Sequence, residues 1–336
     1  MAVIYSLAEW QQWAARDVVE PVWLTPDAIA ALLPADKDRY DQKRIQWLGA
    51  DFVLATHDTA TLFQMSKILL AKNAFSTVTA RRGLAISGLA TLGKSTTAML
   101  IGKRHERQTR LRHNRNDPNF APVVYIVVQP AATPKMTMLT FCHFLGLVPR
   151  PRATAQELGE QVVRVLKDLR TSLVIVDEVH NLHTNRSNGS EAASALKVFS
   201  ERIDATFIYA GLDLLRTDLF DGPFGRQIKG RMIVHEMSPY TNGLRAQRDN
   251  WTELVLGIEA LLPLSRHVAG SLTNLASYLY DRTGGSIGSL RGLLTDAAIG
   301  AILTGHERVD RPTLDATATD RAAEEFSGND PDDSPR

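Results

Sequence analysis

Gly88-Leu89-Ala90-Thr91-Leu92-Gly93-Lys94-Ser95 is the stretch on which the reading of this chain turns. It follows the short apolar run Gly83-Leu84-Ala85-Ile86-Ser87, which reads as a strand, and opens a segment that reads as a helix to about Arg104. Glycines at both ends let the backbone curl until its N–H groups surround an anion; Lys94 would reach the outer phosphates, and the Ser95 hydroxyl would hold a divalent cation. The helix that starts there adds the positive end of its dipole. Gly88, Leu89, Ala90, Thr91, Leu92, Gly93, Lys94, Ser95 and Thr96 are therefore the expected contacts of a nucleoside triphosphate, ATP with Mg²⁺.

A second element lies 83 residues beyond Lys94. Leu173-Val174-Ile175-Val176 reads as a buried strand that runs into Asp177-Glu178. A carboxylate at the end of such a strand, beside a phosphate loop, holds Mg²⁺ through water, which is the role expected of Asp177. Glu178 is placed to polarise an attacking water. Val123–Val128 reads as one strand between the two in sequence, and Ala205–Ala210 and Arg231–Glu236 as two more. Short apolar strands alternating with helices predict an α/β fold, a parallel sheet of about five strands covered on both faces.

Outward from this core, residues 1–75 read as a helical N-terminal extension. Ser6 and Glu9 form a capping box ahead of Trp10 and Trp13. Thr25-Pro26 opens a second helical turn that ends at Pro34, and longer helices are expected over Asp38–Leu54 and Thr59–Ala71. The nucleotide-binding core is expected over 76–240 and a small helical lid over 241–314. Residues 315–336, with seven acidic residues against two basic ones, are expected to form a disordered acidic tail.

Composition sets wider bounds. At 44% hydrophobic and 22% charged residues the chain has ordinary globular makeup, and a net charge of +1 gives no global field toward nucleic acid or membrane. The single cysteine, Cys142, sits in an apolar stretch and reads as a core residue. No uninterrupted apolar run reaches the ~18 residues a bilayer requires, and the first residues lack the pattern of a signal peptide. A soluble cytoplasmic protein with no membrane partner is expected.

The segments Tyr125-Ile126-Val127-Val128-Gln129-Pro130-Ala131-Ala132-Thr133-Pro134, Leu145-Gly146-Leu147-Val148-Pro149 and Asp177-Glu178-Val179-His180-Asn181-Leu182 resemble the TniB/TnsC-type AAA+ ATPases, bacterial regulators of transposases of the Tn7 and Tn5053 kind. The resemblance runs from about residue 80 to about residue 305. It implies a P-loop AAA+ core and an ATPase that assembles as a ring or helical filament on double-stranded DNA. Such an assembly recruits or regulates a transposase, meets target-selector proteins, and is taken apart by hydrolysis. It also implies an arginine finger supplied in trans, for which Arg231 matches best and Arg226 second, and a second sensor at Arg291 in Gly284-Gly285-Ser286-Ile287-Gly288-Ser289-Leu290-Arg291. One departure stands out. The fourth strand ends Tyr209-Ala210-Gly211-Leu212, without the polar first sensor usual there. Asp213 or Asn181 would have to substitute, or γ-phosphate sensing is weak and hydrolysis slow.

Two DNA surfaces are candidates. Lys103 to Arg115 carries six cations against one acid, with Lys103, Arg104, Arg107 and Arg110 foremost. Thr133 and Lys135 lie in the region that faces the central channel in similar proteins. Nothing interleaves aromatic with basic residues, so sequence-independent binding is expected. A STAND-like signalling or defence NTPase and a helicase-loader-like AAA+ protein remain alternative readings.

Overall fold

The computed structural model describes residues 4–50, 56–76, 81–113, 117, 119–182, 196, 198–214 and 229–320. By their contacts these form two compact units: Met1–Arg16, His57–Leu89 and Lys94–Met237 in the first, Asp17–Thr56, Ala90–Gly93 and Ser238–Arg336 in the second.

The first unit is built on β1 (Gly83–Gly88), β2 (Val123–Val127), β3 (Leu173–Asp177), β4 (Thr206–Gly211) and β5 (Met232–Met237). The strands are parallel in the order β2-β3-β4-β1-β5. Every residue of β1, β3 and β4 is buried, as expected of strands sandwiched between helical layers, whereas the edge strand β5 is only partly covered. The strand that separates β1 from β3 in space is β4. β2, which falls between them in sequence, is the outermost strand.

Helix α1 (Leu7–Ala15) begins with the Ser6/Glu9 capping box, and α5 (Lys94–His113) runs directly from the phosphate loop. They meet where Gly102 leaves room for an indole: a Cβ there would lie 2.7 Å from Trp10. Trp10 is fully buried and stacks on Tyr125 of β2 with ring centroids 5.7 Å apart. Helix α4 (His57–Ala74) is held to the sheet by Asn73, whose amide donates to Arg82 O and Thr206 Oγ1, and by Asp58, which pairs with His235 at 2.9 Å. Helices α6 (Pro134–Phe144) and α7 (Ala155–Asp168) lie after β2, each N-capped by a threonine side chain, Thr133 and Thr154. Cys142 is buried on α6, and burial pushes its thiol pKa up.

The second unit is helical: α2 (Pro26–Ala30), α3 (Pro34–Leu48), and, after β5, helices over Arg245–Glu259, Ala276–Thr283, Ile287–Thr304 and Arg311–Asp315. Pro34 starts α3 instead of only ending the preceding turn, because the N–H of a helix's first residue makes no intrahelical bond and its absence costs none. Residues 1–75 are thus shared between the units, with α1 and α4 in the first and α3 in the second. Trp47 and Leu48 of α3 join Trp251, Leu254, Leu279, Leu290, Leu294 and Ile302 in one core. Asp315 closes a helix N-capped by Asp310, and Thr317 N–H still donates to Leu314 O; residues 321–336 of the expected tail lie outside the described residues.

Among the described residues, Ile287–Thr304 is the one helix long and apolar enough to cross a membrane by length and composition, with mean hydropathy 1.3. Arg291 and Asp296 interrupt it, and its buried side, from Leu290 to Ile302, belongs to the core just described.

Arg44 is fully buried in this second unit, with both terminal nitrogens spoken for. It pairs with Glu307 at 2.7 Å, with Asp41, and with Pro263 O at 3.0 Å. Burial alone would push the Glu307 pKa up, but the donors from Arg44 and Ser265 bring it below the ordinary glutamate value. Removing one member of a buried pair strands the other, so Arg44→Ala should lower unfolding stability by about 3–5 kcal/mol in urea titrations. A carboxylate with a depressed folded-state pKa contributes above the unfolded-state value. Stability of the wild type should therefore fall as pH drops below about 4.3 and Glu307 protonates, and a Glu307→Gln variant should lose that component of the acid response.

Candidate functional site

At the carboxyl edge of the sheet, Gly88 ends β1 at φ 145° and Gly93 adopts φ 84°, backbone that glycine enters without a side-chain clash. Thr91 between them also has positive φ, 61°. Lys94 is almost fully buried and its ammonium donates back to Leu89 O. Burial pushes the Lys94 pKa down, opposed by the carboxylates of Glu178, Asp177 and Asp213. Two strand ends, those of β3 and β4, therefore contribute negative charge around one ammonium.

Asp177 is the last residue of β3 and only 3% exposed. Its Oδ2 accepts the hydroxyl of Tyr125 at 2.8 Å and its Oδ1 the N–H of Glu178 at 2.8 Å. The Tyr125 pKa is raised, first by burial and then by the Asp177 charge beside it, so the phenol stays a donor. Glu178 itself is left-handed at φ 54°, a conformation that costs an L-residue roughly 1–2 kcal/mol and that gathers at functional sites. Its side chain is 41% exposed, facing solvent at the point where Asp177 turns inward.

The oxygen set suits a hard cation. Ser95 is the second residue of α5, directly after Lys94, and Asp177 retains unused lone pairs on both oxygens beside its two donors. Among the described residues no cluster of three or more His, Cys, Asp or Glu stands ready to hold a metal. Mg²⁺, which keeps waters and takes one or two carboxylates plus phosphate oxygens, fits such a donor set better than a metal that demands a protein cage.

In the second unit, the loop tip is bonded to the start of the helix Ile287–Thr304. Gly288 N–H donates to Thr91 O at 2.9 Å, and the Ser286 hydroxyl reaches Thr91 O at 3.2 Å and Thr91 Oγ1 at 2.9 Å. A Cβ on Gly288 would collide with Thr91 O, so only glycine permits this approach. Arg291, one turn further, donates to Ala50 O.

The remaining sequence candidates divide clearly. Arg231 precedes β5 and pairs with Glu201 at 2.5 Å. β5 runs alongside β1 from Gly83↔Met232 to Gly88↔Met237, which puts Arg231 at the end of the sheet opposite the loop. At ~3.3 Å per residue that is roughly 17–20 Å away. Arg226 lies outside the described residues.

The basic run has work inside the fold. Arg107 donates to the carbonyls of Ala14, Ala15 and Arg16, and Lys103 to Arg16 O at 2.7 Å, satisfying the open C-terminal end of α1. Arg110 pairs with Glu106 at 2.6 Å and reaches Phe120 O, and Arg104 lies over the Phe63 ring at 5.8 Å. Of the four candidates for DNA contact, Lys103, Arg107 and Arg110 thus have partners inside the fold, while Arg104 is exposed.

Thr133 and Lys135 are placed differently. Thr133 Oγ1 caps α6, while Lys135 is exposed in the first turn. Sequence reading missed Arg150, which together with Lys135 acts on Glu157 at the start of α7. Arg150 lies in the segment that joins α6 to α7, shortly before Glu157 in sequence. Tyr125 was missed as well, because in sequence it is simply one residue of an apolar strand.

The strand order, the loop between β1 and α5, and the carboxylates at the end of β3 define a P-loop AAA+ fold. The family described as bacterial TniB protein matches residues 44–240, and the chain belongs to that family. No curated protein matches it. Among solved structures it is similar to the Aeropyrum pernix ORC1 protein in complex with DNA, at 17% identity and TM-score 0.59, covering 81% of this chain and 68% of that one. It is similar to the Aeropyrum pernix ORC2 protein in ADPNP-ADP complexes, at 13% identity and TM-score 0.60, over 84% and 71%. Cdc6p of Pyrobaculum aerophilum follows at 15% identity and TM-score 0.52, over 78% and 67%. At these identities the likeness establishes the fold.

Tyr125→Phe removes the hydroxyl donor from Asp177 and leaves the ring stacked on Trp10. With the carboxylate less constrained, Mg²⁺-dependent enhancement of nucleotide binding should weaken by about 10-fold, while Mg²⁺-free nucleotide binding stays unchanged. Titration of a fluorescent ATP analogue with and without Mg²⁺ measures both.

Proposed function

We propose that this protein is an ATP-hydrolysing, DNA-binding regulator of transposition, which assembles on double-stranded DNA and presents the target to a transposase and its target selector. The observation that carries the reading is the convergence of Lys94, Asp177 and Glu178 at one edge of the sheet in a chain of the TniB family. The same fold serves the Aeropyrum pernix ORC1 protein solved with DNA and the ORC2 protein solved with ADPNP and ADP, which supports DNA and nucleotide as ligand classes.

In this reading the loop N–H groups from Gly88 to Thr96 and the Lys94 ammonium hold the phosphates. Ser95 and Asp177 hold Mg²⁺, which neutralises charge on the phosphate oxygens. Glu178 orients the attacking water. Arg231 is too far along the sheet to reach its own chain's phosphates, so a finger role requires a second copy of the chain, released from Glu201. This supports a homo-oligomer with nucleotide completed between copies. Arg291 acts as second sensor, from the helix whose first turn already bonds Thr91. Lys135, with Arg150 near it, contacts the DNA backbone, and binding is independent of sequence because phosphates carry no base identity.

Glu178→Gln should bind ATP as the wild type does, hydrolyse it about 10²-fold or more slowly, and hold its DNA-bound assembly longer in negative-stain images with ATP. Equal hydrolysis in the two proteins would remove Glu178 from the mechanism. Lys135→Ala should weaken ATP-dependent duplex binding and reduce the slope of log affinity against log salt by about 1. An unchanged slope in fluorescence anisotropy would take the DNA surface away from α6.

A further inference from the structure

β4 ends in Tyr209-Ala210-Gly211 and runs on into Leu212, and none of Ala210, Gly211 and Leu212 carries a polar side chain beside Glu178. Of the substitutes available in sequence, Asn181 is spent, its amide donating to Val128 O at 3.0 Å. Asp213 is an anion facing Lys94. The side chain that occupies the place is His180.

Its Nδ1 lies 3.2 Å from the N of Leu212, whose N–H it accepts, and 3.3 Å from Oε2 of Glu178. Gly211 makes the approach feasible: a Cβ there would sit 3.1 Å from His180 Nδ1, 3.3 Å from His180 N and 2.8 Å from Leu214 Cδ2. Among the described residues, His180 is the polar side-chain partner of the Glu178 carboxylate. The two contacts make opposite demands on one atom. Nδ1 must be bare to accept from Leu212 and must carry the proton to hold a carboxylate.

We propose that His180 is the positioning residue for Glu178 and replaces the polar group that β4 lacks. With the proton on Nδ1 it holds the carboxylate in the orientation that meets the attacking water. With Nδ1 turned over to Leu212 N–H, Glu178 loses that hold. Because Leu212 belongs to the strand end, a small movement of that end decides which partner Nδ1 serves, and so links β4 to the timing of hydrolysis. The inference rests on the reading of Glu178 as the water-orienting carboxylate.

The test is steady-state hydrolysis and ATP-analogue affinity of the full chain with duplex DNA, for the wild type and for His180→Ala, His180→Asn, His180→Gln and Glu178→Gln. Thermal melting of each variant establishes that it is folded. His180→Ala should lose roughly 10-fold in kcat, the scale on which outer partners orient a reacting group, with KM and nucleotide affinity within about twofold of wild type. His180→Asn, whose amide lies where Nδ1 was, should recover most of the rate, and His180→Gln, whose amide reaches past it, should not. Wild-type kcat in His180→Ala overturns the proposal, as does a parallel loss of affinity and rate, or equal rates in the Asn and Gln variants. If His180→Ala fails to melt cooperatively, the Asn and Gln pair decides alone. Glu178→Gln separates the two levels of the claim: wild-type hydrolysis in that variant sinks the mechanism as a whole. Loss in Glu178→Gln without loss at His180 sinks only the positioning role.

Discussion

Keeping charge almost out of water at one edge of a sheet is the constraint around which the first unit is arranged. An isolated buried ion costs several kcal/mol even after relaxation. Lys94 is nearly buried and Asp177 more so, and neither is left alone. Lys94 donates a hydrogen bond to Leu89 O, and Asp177 accepts one from the Tyr125 hydroxyl and one from the backbone N–H of Glu178. The parallel order β2-β3-β4-β1-β5 makes this possible, since it brings the carboxyl ends of the loop strand, the Asp177 strand and β4 to the same edge. A mixed or antiparallel sheet of the same strands would scatter these groups over both edges.

The support for that edge extends well away from it. Tyr125 is held by Trp10, Trp10 fits over Gly102, and the helix that carries Trp10 is closed at its C-terminus by Arg107 and Lys103. Two members of the basic run, Lys103 and Arg107, thereby act as helix caps. Arginine suits the task because its planar fork of donors can satisfy several carbonyls at once, and Arg107 bonds three. Lys135, exposed in the first turn of α6, has its charge and that of Arg150 directed toward Glu157.

The second unit solves a related problem by another route. Arg44 and Glu307 are buried as a hydrogen-bonded pair in the helical unit, tying α3 to the segment after the helix Ile287–Thr304. The loop tip Ala90–Gly93 counts with this unit through Ser286 and Gly288. A loop expected to bind phosphate thus has a second set of polar partners at a helix N-terminus. Thr91 keeps its positive φ while two donors engage its carbonyl, as expected where surroundings over-determine a strained residue.

Local sequence was enough to place the phosphate loop, the five strands, the Asp177-Glu178 pair and the capping box at Ser6. Each of these is local: a turn that only glycine allows, a run of β-branched residues, a side chain bonding its own backbone three residues on. The TniB resemblance was legible for the same reason, being carried by short contiguous motifs around β2 and β3. Tertiary structure alone decided that β4 separates β1 from β3, that residues 17–56 join the C-terminal helices, and that Lys103 and Arg107 cap α1. It also decided that Tyr125 holds Asp177 and that His180 stands at the end of β4. These depend on groups 30 to more than 200 residues apart meeting across strands and helices, and a charge or hydroxyl carries no mark in sequence of the partner it will find. The loop at Gly88–Ser95 could be recognised without coordinates because its chemistry is that of its own backbone.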